Sequence, residues 1–351
     1  MERRHFIQAS TIAASGLAFA GCLGSNPDAE QATEFSAYDI PAYSAWPPDD
    51  PRTNDFVLFG HLNIRHLHEA DDEEDDEPTE DVEDVLLTLP GYGFMVTALW
   101  FYFGLWDYPW HGTLGSENEP DGMATEALTM TEGTFVFHGE YDPEVFTNEY
   151  AEGFDEREAN GFTVFEGQAG GGTEELAYAV SEDAIVAAIS PESVEDHEEA
   201  VSNLDDALDN RINEVGRIVD DEDGEWLFES TGPADMATGF WRVEGLEEED
   251  LQAGEEEDED TLNIEDNPIF ESVNSFIGTL VLPDSEDGVG GDTAAARFAA
   301  LYPEGEVPSE DELREELMPS DTGEVLDIVT DDDRVQVVAE VSEDEINEHF
   351  N

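Results

Sequence analysis

Ninety-one acidic side chains stand against eleven basic ones in this 351-residue chain, a formal net charge of −80. All eleven bases are arginines, and lysine does not occur. At low ionic strength such self-repulsion opposes any compact state. At 1 M salt the Debye length falls to about 3 Å and most of that repulsion is screened. The composition therefore reads as adaptation to molar salt. High charge is also a signature of disorder. Here, however, 39% of the residues are hydrophobic, with 20 Phe, 9 Tyr and 6 Trp, ample material for a core. Nucleic acid is excluded as a partner, because two polyanions repel and no basic patch exists to release counterions.

The first 22 residues have a separate logic. Arg3-Arg4-His5-Phe6-Ile7 precedes a mild apolar run, Ala9 to Ala20, and then Gly21-Cys22, which carries the single cysteine. The run is too short and too mild to span a bilayer. The segment is similar to twin-arginine export signals that end in a lipid-attachment cysteine. Glu2 stands where such signals usually have Ser or Thr, and Phe19 replaces the commoner Leu of the lipobox. With this signal, the chain resembles an exported lipoprotein of a halophilic archaeon. The resemblance implies export through Arg3 and Arg4 and lipid attachment at Cys22. It places the protein at the extracellular face of the cell membrane. The mature chain would carry 90 acids and 9 bases, a net −81, and no thiol.

Four segments follow: the signal peptide, 1–22; a flexible tether, 23–55; a first module, 56–218; and a second, 219–351. The tether is Pro-, Ser- and Asp-containing and ends in Trp46-Pro47-Pro48-Asp49-Asp50-Pro51. Acidic runs at Glu69–Asp84 and Glu247–Asp260 read as solvated loops. Strands are expected at Phe56–Ile64, Thr134–Phe137, Phe162–Phe165, Leu176–Val180 and Ala184–Ile189. Asp142-Pro143 reads as a helix start. Ser190-Pro191-Glu192 opens a helix to about Arg217, with Val201, Leu204, Leu208, Ile212 and Val215 on one face. Thr293–Leu301 reads as a helix capped by Asp292, and Ser309–Glu312 as a capping box for a helix through Leu317. Strands at Val325–Val329 and Val335–Val341 flank a turn at Asp331-Asp332, and Ser342–Glu345 caps a C-terminal helix.

Two echoes suggest duplication. Gly133-Thr134-Phe135-Val136-Phe137 resembles Gly278-Thr279-Leu280-Val281-Leu282, and strand, turn, strand, serine cap, helix occurs at both 176–195 and 325–346. The expected fold is α+β: two loosely repeated modules of mostly antiparallel sheet with helices on one face. Val85–Trp106, uncharged and aromatic, reads as a buried helix, with a membrane-contacting segment as the alternative.

Histidine is the place to look for chemistry. His66 and His68, an i, i+2 pair on or just beyond the first strand, could share a transition metal, with Glu69 nearby; His61 would point the other way. His111 and His138 join only if the fold brings them close. Among the patterns weighed, no catalytic motif is complete. Asp221-Glu222-Asp223-Gly224 resembles part of a calcium loop, but Val219 and Ser230 stand at its first and last ligand positions. The chain thus reads as a lipid-anchored, non-enzymatic binding or scaffolding protein. It would partner the membrane through Cys22 and an envelope protein. The alternatives are a metal- or ligand-capturing lipoprotein feeding a transporter, marked by a pocket of Trp100, Trp106, Trp110 and Trp241, and a secreted hydrolase.

Overall fold

A computed structural model of the chain describes residues 35–50, 56–64, 84–91, 108–110, 122–131, 133–168, 175–188, 197–242, 267–283, 293–319 and 323–342. All lie in one compact unit, Ala32–Asn351. Its frame is a single twelve-stranded sheet in which every pairing is antiparallel. The strands are β1 (Val57–Asn63), β2 (Met123–Thr131), β3 (Thr134–Tyr141), β4 (Phe154–Ala159), β5 (Phe162–Gln168), β6 (Glu175–Val180), β7 (Ala184–Ala188), β8 (Met236–Trp241), β9 (Ser275–Val281), β10 (Thr293–Leu301), β11 (Gly323–Thr330) and β12 (Arg334–Ser342). Their spatial order is β11-β12-β10-β9-β8-β1-β2-β3-β7-β6-β5-β4.

On either side of the β1–β8 seam the order repeats. β1-β2-β3-β7-β6 runs one way and β8-β9-β10-β12-β11 the other, and the hairpin of β4 and β5 extends the first half. The third strand of each half leads into a helix: α1 (Pro143–Glu149) after β3 and α4 (Glu310–Leu317) after β10. The hairpins β6–β7 and β11–β12 hold matching places. β3 and β9, whose sequences echo one another, do not: one is third in its half and the other second.

Local chemistry explains the helix ends. The Asp142 side chain accepts from Glu144 N, and Pro143 fills the first turn of α1. Ser309 and Glu312 form the reciprocal capping box of α4. α2 (His197–Asn213) stops where Glu214 turns left-handed, at φ 51°, followed by Gly216 at φ 70°. Ile212 and Val215, expected on its buried face, are therefore exposed, while Leu204 and Leu208 are buried. Asp221, suggested by sequence as part of a calcium loop, instead caps α3 (Glu222–Thr231), accepting from Asp223 N at 2.9 Å.

Three expectations are corrected. Thr293–Leu301 is not a helix but the central strand β10, paired over nine positions with β12 and seven with β9. Its alanines favour a helix locally. A nine-residue helix is marginal in water, though, and small side chains suit a strand buried on both faces. All its residues but the first are buried.

Second, helices cover both faces of the sheet. On one face α1, α4 and the helical residues 85–91 pack with Leu62, Leu128, Phe135, Phe276 and Phe298. On the other, α2 and α3 pack with Val57, Phe59, Val136, Val186 and Ile277. Strands buried on both sides need a cover for each. A ring can lie flat on its neighbouring strand where glycine allows it: a Cβ at Gly239 would meet the Phe59 ring at 2.1 Å.

Third, residues 35–50, assigned to the flexible tether, are a docked strap. The strap runs across the second face from β12 to β3. Ser36 and Gln336 exchange hydrogen bonds (2.7 and 2.8 Å). Phe35 meets Trp226, and Tyr38 N donates to Glu229 O. Tyr43 and Trp46 are buried, and Pro48 bridges to Arg217. Aromatic residues in a polar, proline-containing segment outweighed its spacer-like composition, since burying one such ring contributes about 2 kcal/mol.

Candidate functional site

Beneath the strap, at the centre of the sheet, two histidines meet. His61 on β1 and His138 on β3 flank β2, and both turn to the same threonine. His61 Nδ1 lies 2.9 Å from Thr129 Oγ1, and His138 Nε2 lies 2.7 Å from it. A hydroxyl has one proton, so Thr129 donates to one imidazole nitrogen and accepts from the other. The ring centroids are 6.0 Å apart.

The 3₁₀ turn Ala42–Ala45 and the residue after it form the roof. Tyr43 stacks on His61 at 4.3 Å and 21°, and Trp46 meets His138 edge-on at 6.3 Å. Behind each roof ring stands a cation. Arg211 of α2 lies 5.7 Å from the Trp46 centroid. The charge of Arg297 on β10 acts on Tyr43, opposing the rise in that phenol's pKa that burial causes.

Both imidazoles are held neutral. Burial lowers the pKa of His138 to about 4; Asp183 pulls it up and Arg211 pushes it down further. Burial, then the neighbouring His138, takes His61 well below its usual value.

A hydroxyl between two neutral imidazoles resembles the core of a nucleophilic site. Thr129, however, has no exposed surface, and the strap's rings lie over two half-buried imidazoles. In this docked form the triad is a structural joint whose hydroxyl is shielded from solvent. Its two nitrogens share one hydroxyl, and among the described residues no three His, Cys, Asp or Glu side chains converge on a metal position.

His138 thus meets His61 through Thr129. His66, His68 and His111 lie outside the described residues, as do Cys22, Arg3 and Arg4. Of the four tryptophans proposed to share a pocket, Trp110 and Trp241 are buried in separate clusters on opposite faces of the sheet, and Trp100 and Trp106 are outside the described residues. Residues 85–91 of the uncharged segment are helical and mostly buried. Among the described residues no helix is long and apolar enough to cross a membrane. Sequence reasoning missed Thr129, Tyr43 and Trp46. Alternation along β2 was the available signal for the first, and three aromatics within nine residues of a supposed spacer was the signal for the others.

The strap is fastened by the scarce bases. Seven arginines lie among the described residues, and four meet the strap. Besides Arg211 and Arg217, Arg297 covers the Tyr38 ring at 4.1 Å and Arg242 pairs with Asp49 at 3.0 Å. Arg297 also donates to Thr231 O at 2.8 Å, at the C-terminus of α3, where the helix dipole favours a cation. Among the described residues two open clefts stand out. One, of about 480 Å³, is lined by Asp221, Asp223, Trp241, Arg242 and Ser275. The other, of about 550 Å³, lies at the start of α1.

No known protein family matches the chain, and neither a curated protein nor a solved structure matches it.

Proposed function

We propose that the chain is an exported, lipid-anchored surface protein of a halophile, with a non-enzymatic binding or scaffolding role at the outer face of the membrane. The observation that carries this reading is the strap. A chain tethered through Cys22 would be held by its N-terminus, and the strap fastens that end across seven strands of the sheet. The body is thereby presented as one plate rather than swinging on a long spacer. The acidic surface supports the same reading, since it suits molar salt and disfavours polyanionic partners. We also read the matching strand orders about the β1–β8 seam as a duplicated five-strand unit, residues 56–218 and 219–351, with the β4–β5 hairpin an addition to the first copy.

The test is fractionation of cells producing the wild type and Cys22→Ala. The wild type is expected in the membrane fraction, and the variant in the medium or as an uncleaved precursor. Unchanged membrane retention of the variant defeats the lipid-anchor reading.

A further inference from the structure

We propose that the histidine pair joined by Thr129 is an acid-sensitive latch for the strap: the strap stays seated while both imidazoles are neutral, and protonation releases it. The hydrogen-bond inventory is the first argument. With both rings neutral, the Thr129 hydroxyl donates to one nitrogen and accepts from the other. Protonating the acceptor nitrogen turns it into a second donor. The hydroxyl proton then loses its partner while a new charge sits half-buried beside the second ring.

The second argument is the roof. A protonated imidazole under an aromatic ring ordinarily gains a cation–π contact. Here Trp46 already sits beside Arg211, and Tyr43 within the field of Arg297. A further cation beneath these rings would be repelled by the two arginines. Lifting the strap instead admits water to the charge and separates the aromatics from it. The charged groups set around the pair are Asp183 in the β6–β7 turn, Glu140 two residues along β3, Arg211 on α2, and Arg297 on β10; Asp49 in the strap is engaged by Arg242. Among the described residues the charge of Asp183 favours protonation of His138, and burial outweighs it.

The direction follows from linkage. The seated form holds the pair neutral, with His138 at about 4, whereas a released, hydrated histidine titrates near about 6.5. The released form therefore binds more protons between these values. Seating weakens as pH falls from about 6.5 to about 4 and is insensitive above that window.

The experiment is hydrogen exchange on the mature protein in molar potassium chloride at pH 7.0 and 4.5, corrected for intrinsic rates. Strap amides should lose at least about tenfold in protection at the lower pH, while those of β5 to β7 keep theirs. A His61→Asn/His138→Gln double variant, which retains amide partners for Thr129 but cannot titrate, should keep its strap protected at both values. Unchanged strap protection in the wild type overturns the latch, as does equal loss in the variant. Should that variant not fold, imidazole resonances of the wild type decide. Titration of both rings together with strap release supports the latch. Titration near pH 6.5 with the strap still seated overturns it.

Discussion

The two faces of the sheet are closed in different ways. The face under α1 and α4 is sealed by interdigitated apolar side chains: Phe240, Phe270, Phe276 and Phe298 stack or meet edge-on at centroid separations of 4.8 to 6.0 Å. The face under α2 and α3 has its own apolar clusters, but along the strap's path it presents polar groups. His61, Thr129, His138, Arg297 and Gln336 all point outward there, and each meets a specific partner on that side. The first closure is non-directional and depends on area. The second is directional and fails partner by partner. A polyanionic chain can use both at any ionic strength, because neither cation–π stacking nor buried hydrogen bonding leans on the long-range attraction that salt screens.

The sharpest way to break this comparison is to hollow out the apolar face. Phe276→Ala should cost about 3–5 kcal/mol, seen as a lower midpoint in denaturant unfolding at constant high salt, with strap and sheet lost together. A cost near zero would mean that the stacked phenylalanines do not hold that face. An intermediate effect is expected on the other face. Arg297→Met preserves most of the volume but strips the contacts to Thr231, Pro233 and the Tyr38 ring. About 2 kcal/mol should be lost, and residues 36–40 should become susceptible to proteolysis before the sheet does. If sheet and strap yield together, the strap is no separate closure. The smallest effect belongs to the surface. Arg157 bridges Glu166 at 2.5 Å and also reaches Asp205, yet these groups stay partly open to solvent. Arg157→Gln should change stability by under about 1 kcal/mol, and less in molar salt than at the lowest salt the fold tolerates. A larger change would give ion pairs a role the comparison denies them.

Legibility in the sequence followed the same division. The apolar hairpin β6–β7 and the capped helices α1 and α4 could be read from alternation and caps, because local chemistry and tertiary burial agree there. β10 could not: alanine's local preference points to a helix, and only its place between β9 and β12 makes it a strand. α3 was hidden because Glu222, Asp223 and Glu225 in its first turn look like one more acidic loop, although acids at a helix start are favourable. Of the central site, the histidines drew attention as residue types, but their meeting did not. It depends on β2 running between β1 and β3, and β2 carries a register shift between Thr125 and Ala127 that blurs its alternation.

The strap also sets an order of events. Ser36 and Gln336 are partners 300 residues apart, so the segment made among the first cannot take its place until nearly the last strand has been made and paired. Until then Tyr43 and Trp46 have no complete bed. Seating of the strap is thus a built-in report that the sheet has been assembled as far as β12.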